Sequence, residues 1–142
     1  GKAYTIVMEY RFLEHTADAR VECSGKTFAE LLEAAARALN AVAFRCVEDR
    51  REGRRSISIE ADGAEEAVVR WLQELIYFME AERFVATRFR FIQAEPRRVE
   101  AEVAGYMYRP EEREDEIKAA TYHGMAVQET APGWRAEIIF DL

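Results

Sequence analysis

Apolar residues recur along parts of this chain with the period of an α-helix. Thr27 stands before the first such run as an expected N-cap, with Glu30 placed to reach back to it. Asp62 stands before the second run, with Glu65 three residues later. The two predicted helices have apolar faces made of Phe28, Leu31, Leu32, Ala35, Leu39 and Val42, and of Ala67, Val68, Trp71, Leu72, Leu75, Ile76 and Met79.

Elsewhere the apolar positions alternate with polar ones, which predicts strands. The expected strands cover residues 8–13, 19–23, 56–60, 87–92, 99–103, 116–123, 126–129 and 134–140. A turn at Glu95-Pro96-Arg97 predicts a hairpin between two of them, with Arg88 and Arg90 paired to glutamates of the partner strand. Charged stretches at residues 50–55 and 108–115 are expected to be loops.

The order of these elements predicts the fold class. Two helices cannot cover both faces of so many strands, so we expect an α+β fold, a two-layer α/β sandwich with a mostly antiparallel sheet. A chain of 142 residues fits a single domain, residues 1–142. Residues 1–7 are expected either to extend the first strand or to lie partly outside the native sequence.

Composition and charge narrow the functional classes. The net charge of −7 argues against autonomous binding to a nucleic-acid backbone, although a protein partner could still hold RNA. Cys23 and Cys46 are too few for a disulfide framework and lack further zinc ligands, so buried free thiols are expected. No apolar run has membrane-spanning length and no signal peptide is visible, which predicts a cytoplasmic protein without membrane contact.

Acidic groups gather at the end of the last predicted strand. The side chain of Asp141 and the expected α-carboxylate of Leu142 are adjacent negative groups, an arrangement that attracts a cation. The segment Glu14-His15-Thr16-Ala17-Asp18 has, taken by itself, the composition of a hairpin loop. Gly25-Lys26-Thr27 lacks the earlier glycine of a phosphate-binding loop.

Three segments together resemble the archease family: YRFLEHTAD at residues 10–18, IKAATYH at 117–123 and FDL at 140–142. The resemblance extends over essentially the whole chain. It implies a small α/β sandwich and a protein that is not an enzyme. The implied function is activation of the tRNA-splicing RNA ligase that joins 2′,3′-cyclic phosphate or 3′-phosphate ends to 5′-hydroxyl ends. The activator promotes guanylylation and multiple turnover of that ligase, its expected partner, and meets RNA and GTP only through it.

The resemblance also implies a metal site formed by Asp18, Asp141 and the terminal oxygens of Leu142. Oxygen ligands select hard ions, so calcium, magnesium or manganese is expected rather than zinc or copper, and calcium is our first choice among the three. Water or a partner group should complete the shell. Lys118 is expected either as an ordinary exposed lysine or as a residue that steers phosphate or pairs with Asp18, and His15 as a residue that orients a ligand.

Two other functions stay open. One is a chaperone-like partner of RNA-modifying enzymes, in which the acidic cluster is only structural. The other is a metal-dependent phosphoester hydrolase, against which the sequence offers no clear general base, nucleophile or pair of bridging carboxylates.

Overall fold

The computed structural model describes residues 8–15, 18–130 and 133–142, with the side chains of residues 14, 15 and 121–126 left outside the description. The strands and helices, in chain order, are β1 Glu9–His15, β2 Asp18–Gly25, α1 Phe28–Ala43, β3 Gly53–Glu60, α2 Ala64–Glu82, β4 Phe84–Glu95, β5 Arg98–Met107, β6 Ala119–Thr130 and β7 Gly133–Asp141. A short 3-10 helix spans Pro110–Glu112.

The strands form two sheets, and the described pairings within both are antiparallel. The first sheet has the order β1-β2-β7-β6 and the second the order β3-β5-β4. Helix α1 contacts β1, β2 and β7 of the first sheet and β4 of the second, while α2 contacts β6 and all three strands of the second. The predicted α+β class, with antiparallel strands and two amphipathic helices, is confirmed. Each helix divides its apolar surface between two sheets rather than resting on one.

Helix α1 begins as its sequence predicts. The Oγ1 atom of Thr27 accepts a hydrogen bond of 3.1 Å from the N–H of Glu30, and the whole predicted apolar face is buried. Burial extends further round the helix, to Ala34, Ala36 and Ala38, whose small side chains let both sheets approach closely. Two buried hydrogen bonds anchor the helix to its neighbours: Trp71 Nε1 to the Leu32 carbonyl and Asn40 Nδ2 to the Ala86 carbonyl, each 2.8 Å.

The predicted N-cap of helix α2 is wrong, although its apolar face is confirmed as buried. The N-cap residue is Gly63, which offers no side-chain oxygen, and Asp62 lies one position too early. The backbone N–H of Asp62 instead donates 3.1 Å to Oε2 of Glu66, so an acid inside the first turn reaches back to the loop. None of the described helices is long and apolar enough to cross a lipid bilayer.

Two strand predictions need correction. Residues 53–55, expected in a loop, begin β3, because their backbone pairs with β5 as far as Gly105. The sequence predicts separate strands at residues 116–123 and 126–129, but β6 is one strand that begins only at Ala119, and the interruption is a register shift between Thr121 and Ala126. A local loss of alternation therefore marks an irregularity within β6 rather than its end.

The hairpin of β4 and β5 is confirmed, with Pro96 and Arg97 at its turn. A register shift between Ala86 and Arg88 brings the backbone of β4 close to Gly105. A Cβ atom on Gly105 would lie 1.8 Å from the carbonyl oxygen of Val85, so only glycine fits there.

The two cysteines have different environments. Cys23 is fully buried in β2, and this burial raises the pKa of its thiol to about 12. Cys46, which follows α1, is exposed, so the prediction that both thiols are buried is wrong for this one. It lies in the segment between α1 and β3, outside the named strands and helices.

Candidate metal-binding site

The pairing of β2 with β7 places Asp18 directly opposite Asp141. Asp18 is the first residue of β2 and Asp141 the last of β7, and Ala119 of β6 lies on the other side of Asp141 in the same row. Residues that oppose each other in an antiparallel pair have Cβ atoms roughly 4.5–5.5 Å apart. The structure therefore brings together two of the three predicted metal ligands from distant parts of the sequence.

Both aspartate side chains lie on the outer face of the first sheet. Alternate residues of the two strands are buried on the inner face: Ala19, Val21 and Cys23 in β2, and Ala136, Ile138 and Phe140 in β7. Successive side chains of a strand point to opposite faces, so Asp18 and Asp141 point away from the core, and both are exposed. The carboxylates are thus open to solvent and to a partner.

Leu142 continues from this pair and is partly buried against the core. Its side chain therefore anchors the backbone that follows Asp141. The backbone N–H of Lys118 donates a 2.8 Å hydrogen bond to the Asp141 carbonyl, which ties the segment before β6 to the same place. The third predicted ligand thus follows directly in sequence after a residue whose carbonyl is held by this hydrogen bond.

The structure describes the two accessory residues, Lys118 and His15, to different extents. Lys118 is exposed as predicted, but no ion pair between described side chains joins it to Asp18 or Asp141. His15 ends β1 opposite Ala19, the neighbour of Asp18, and its side chain lies outside the described residues. Steering of phosphate by Lys118 and orientation of a ligand by His15 stay predictions.

Charges elsewhere on this face of the sheet compensate one another. Arg20 contacts Glu137 at 2.6 Å, and Glu22 is approached by Arg11 at 3.4 Å and by Arg135 at 3.8 Å. These cross-strand pairs could not be assigned from sequence, because they depend on the register of β1, β2 and β7. Within the described part of the chain, the Asp18–Asp141 row has no such cation.

The donor set fits a hard cation in an open site. In residues 8–15, 18–130 and 133–142 there is no cluster of three or more His, Cys, Asp and Glu side chains that could enclose a metal ion. Two opposed carboxylates and a main-chain oxygen are nevertheless ligands that calcium, magnesium and manganese accept, with water or a partner group completing the shell. The arrangement is unsuited to a closed structural zinc site.

Comparisons with known proteins agree with the fold and the motifs. The model of the Archease protein family matches residues 10–142. The chain is 33% identical to protein archease of Methanosarcina acetivorans over 140 residues, covering 94% of this chain and 96% of the relative. It is 34% identical to protein archease of Archaeoglobus fulgidus over 140 residues, covering 95% of this chain and 100% of the relative.

Solved structures show the same architecture. The solution structure of Methanobacterium thermoautotrophicum protein 1598 superposes with a TM-score of 0.72 at 27% identity, covering 94% of this chain and 98% of that one. The crystal structure of a Thermotoga maritima archease, described as a possible chaperone, has a TM-score of 0.64 at 21% identity, covering 93% and 96%. The chain belongs to the archease family.

Proposed function

We propose that this protein is a non-catalytic activator of the RNA ligase that joins 3′-phosphate and 5′-hydroxyl ends in tRNA splicing. It promotes guanylylation and multiple turnover of the ligase through protein contact and a bound divalent cation. Family membership supports the partner, and the opposed carboxylates of Asp18 and Asp141 support the cation. The proposed mechanism depends on the opposed carboxylates.

In this mechanism Asp18, Asp141 and the main-chain oxygens of Leu142 hold the cation, with calcium as the expected ion and magnesium or manganese as alternatives. The hydrogen-bonded pairing of β2 with β7 fixes the separation of the two aspartates before any ion arrives. A bound cation would supply positive charge toward acidic or phosphate groups of the partner. The exposed side chains leave the remaining coordination positions to water or to the ligase.

Lys118 extends the site toward solvent in this proposal. Its backbone is fixed by the hydrogen bond to the Asp141 carbonyl, while its side chain is exposed. An exposed ammonium whose backbone is held at the end of β7 can meet phosphate without closing the site to a partner. Lys118 thus steers the phosphate-bearing partner, and His15, at the end of β1, is kept in the proposal as a residue that orients a ligand.

The protein works in the cytoplasm and contacts GTP and RNA through the ligase. Its net charge of −7 disfavours independent attraction to a polynucleotide, which supports dependence on a partner for RNA contact. Activation then requires a stoichiometric complex of the two proteins rather than a chemical step on this chain.

A guanylylation assay tests this function. The cognate ligase is incubated with GTP and divalent ions, with or without this protein, and covalent guanylate on the ligase is measured over time. Asp18→Ala and Asp141→Ala should abolish most of the stimulation. Glu74→Ala removes an equal charge from an exposed position of α2 and should stimulate like the wild type. Full stimulation by both aspartate variants would contradict the metal-centred mechanism.

A chaperone-like role is the second candidate, favoured by the description of the Thermotoga maritima relative as a possible chaperone. In that role the carboxylate pair is structural, and the aspartate variants would still support repeated ligation. A metal-dependent phosphoester hydrolase is the remaining alternative. Phosphoester turnover by the purified protein without any partner would favour that alternative over both others.

A further inference from the structure

The outer face of the second sheet contains a depression between arginine side chains. Arg54 of β3, Ala104 of β5 and Arg88 of β4 lie side by side in one row of paired residues. The central residue has only a methyl group, while its two neighbours have long cationic side chains. A cavity of about 260 Å³ results at this point.

The lining of this cavity is strongly cationic. Four arginines contribute to it, together with one carboxylate and a short stretch of β5: Arg51, Arg54, Arg88 and Arg90, with Glu102, Val103 and Ala104, and with Phe89 of β4. In a protein of net charge −7, four guanidinium groups around one small cavity need an explanation.

Ion pairs account for only two of the four. Arg90 contacts Glu102 at 2.7 Å, as expected for this hairpin, whereas Arg88 pairs with Asp49 of the preceding loop instead of a strand glutamate. Arg51 and Arg54 form no ion pair with any described residue. Two positive charges at the cavity therefore have no direct partner among the described residues.

This excess of positive charge lowers the pKa of two nearby carboxylates. The hydrogen bond from Arg88 lowers the pKa of Asp49, and Arg51 and Arg37 lower it further. The hydrogen bond from Arg90 lowers the pKa of Glu102, with an additional contribution from Arg54. Both carboxylates are therefore ionised at neutral pH, and the arginines still outnumber them.

We propose that this cavity binds a phosphate group. Guanidinium forks match the several acceptor oxygens of a phosphate and bind them with charge-assisted hydrogen bonds. A carboxylate offers only two oxygens and would engage fewer of the four arginines. Arg51 and Arg54 provide the primary contacts because no described residue competes for them in an ion pair, while Arg88 and Arg90 are held in position by Asp49 and Glu102.

The cavity recognises the phosphate and not an attached base. An aromatic platform would be required for base stacking. Among the described residues that line the cavity, Phe89 is the one aromatic, and its ring packs against Trp71 at a centroid distance of 6.0 Å, on the core side of the sheet. Binding should therefore be independent of base identity and should weaken as salt concentration rises.

Titration calorimetry at low salt tests the proposal with four probes: inorganic phosphate, AMP, a short oligoadenylate and adenosine. The first two should bind and adenosine should not. Tighter binding of oligoadenylate than of AMP would identify a polynucleotide backbone as the source of the phosphate, and equal binding would identify a single phosphate group. Binding of adenosine as tight as that of AMP would overturn the proposal.

A charge-matched pair of double variants locates the site. Arg51→Ser with Arg54→Ser should weaken binding of AMP by about tenfold or more, the effect of losing charged hydrogen bonds. Arg97→Ser with Arg109→Ser removes the same charge from exposed positions outside the cavity and should change binding by less than about twofold. Equal losses in both double variants, or the absence of phosphate binding by the wild type, would contradict the site. No ligase takes part, so these results are separate from those on activation.

Discussion

Asp18 and Asp141 lie directly opposite each other on β2 and β7, on the exposed face of the first sheet. Like charges in directly opposed positions of an antiparallel pair are unfavourable for folding. Neighbouring rows of the same face pair their charges, including Arg20 with Glu137. Two opposed carboxylates that destabilise the fold are expected where they serve to bind a ligand. Their position therefore agrees with the proposed cation site.

Replacing Asp18 with asparagine should stabilise the protein when divalent ions are absent. The change removes one of two opposed negative charges and keeps the size of the side chain, so the free energy of unfolding should rise by roughly 0.2–1 kcal/mol. Urea denaturation in the presence of a chelator measures it. Glu74→Gln, on the exposed face of α2, serves as the control, and a clear loss of stability in Asp18→Asn would contradict the charge argument.

Calcium should raise the thermal midpoint of the wild type and have little effect on Asp18→Asn or Asp141→Asn. A ligand that binds only the folded state stabilises it by about 2.7 kcal/mol at one hundred times its dissociation constant. Differential scanning calorimetry with and without calcium measures the shift. An identical shift in the wild type and in both variants would place calcium elsewhere on the protein.

Cys23 should make stability fall in alkaline solution. Burial raises its folded-state pKa from 9.0 to about 12, so the unfolded chain loses this proton first as pH rises. The resulting stabilisation is complete below pH 9 and is lost between pH 9 and about 12, by up to about 1.4 kcal/mol per pH unit. Comparing the free energy of unfolding of the wild type and of Cys23→Ala across this pH range gives the contribution of the thiol. Parallel pH profiles would contradict this assignment.

Two glycines should respond oppositely to substitution. Gly105→Ala places a Cβ atom against the Val85 carbonyl and should cost more than about 2 kcal/mol, because backbone must move. Gly63→Ser adds a capping oxygen at the start of α2, where nothing lies within 4 Å of a new Cβ, and should stabilise by a few tenths of a kcal/mol. Chemical denaturation measures both. Tolerance of alanine at Gly105 would contradict the close approach of β4 and β5.

Local signals in the sequence were sufficient for the helices. The capping role of Thr27 and the apolar faces of α1 and α2 depend on residues within a few positions of one another, and the structure confirms them. The N-cap of α2 was wrong for an equally local reason. Glu66 reaches back to the Asp62 N–H, so the acidic residue in the sequence does not itself cap the helix.

Features that depend on strand pairing could be predicted less well from the sequence. Alternation in residues 19–23 and 134–140 predicts two strands but not that they are neighbours, and only their pairing brings Asp18 to Asp141. In the sequence, only the resemblance of the motifs associates these two residues. For Arg88 the strand position led to a wrong prediction. It indicated a glutamate of the partner strand, whereas the ion pair in the folded protein is with Asp49 of a loop.

The cation site at Asp18 and Asp141 is tested by the amount of guanylylated ligase formed per unit time with this protein, in the presence of calcium or manganese. Strong stimulation is expected from the wild type and from Glu74→Ala, and little from Asp18→Ala or Asp141→Ala. All four proteins should be folded at the assay temperature, as judged by their thermal midpoints. Equal stimulation by all four would contradict a functional role for the Asp18–Asp141 pair.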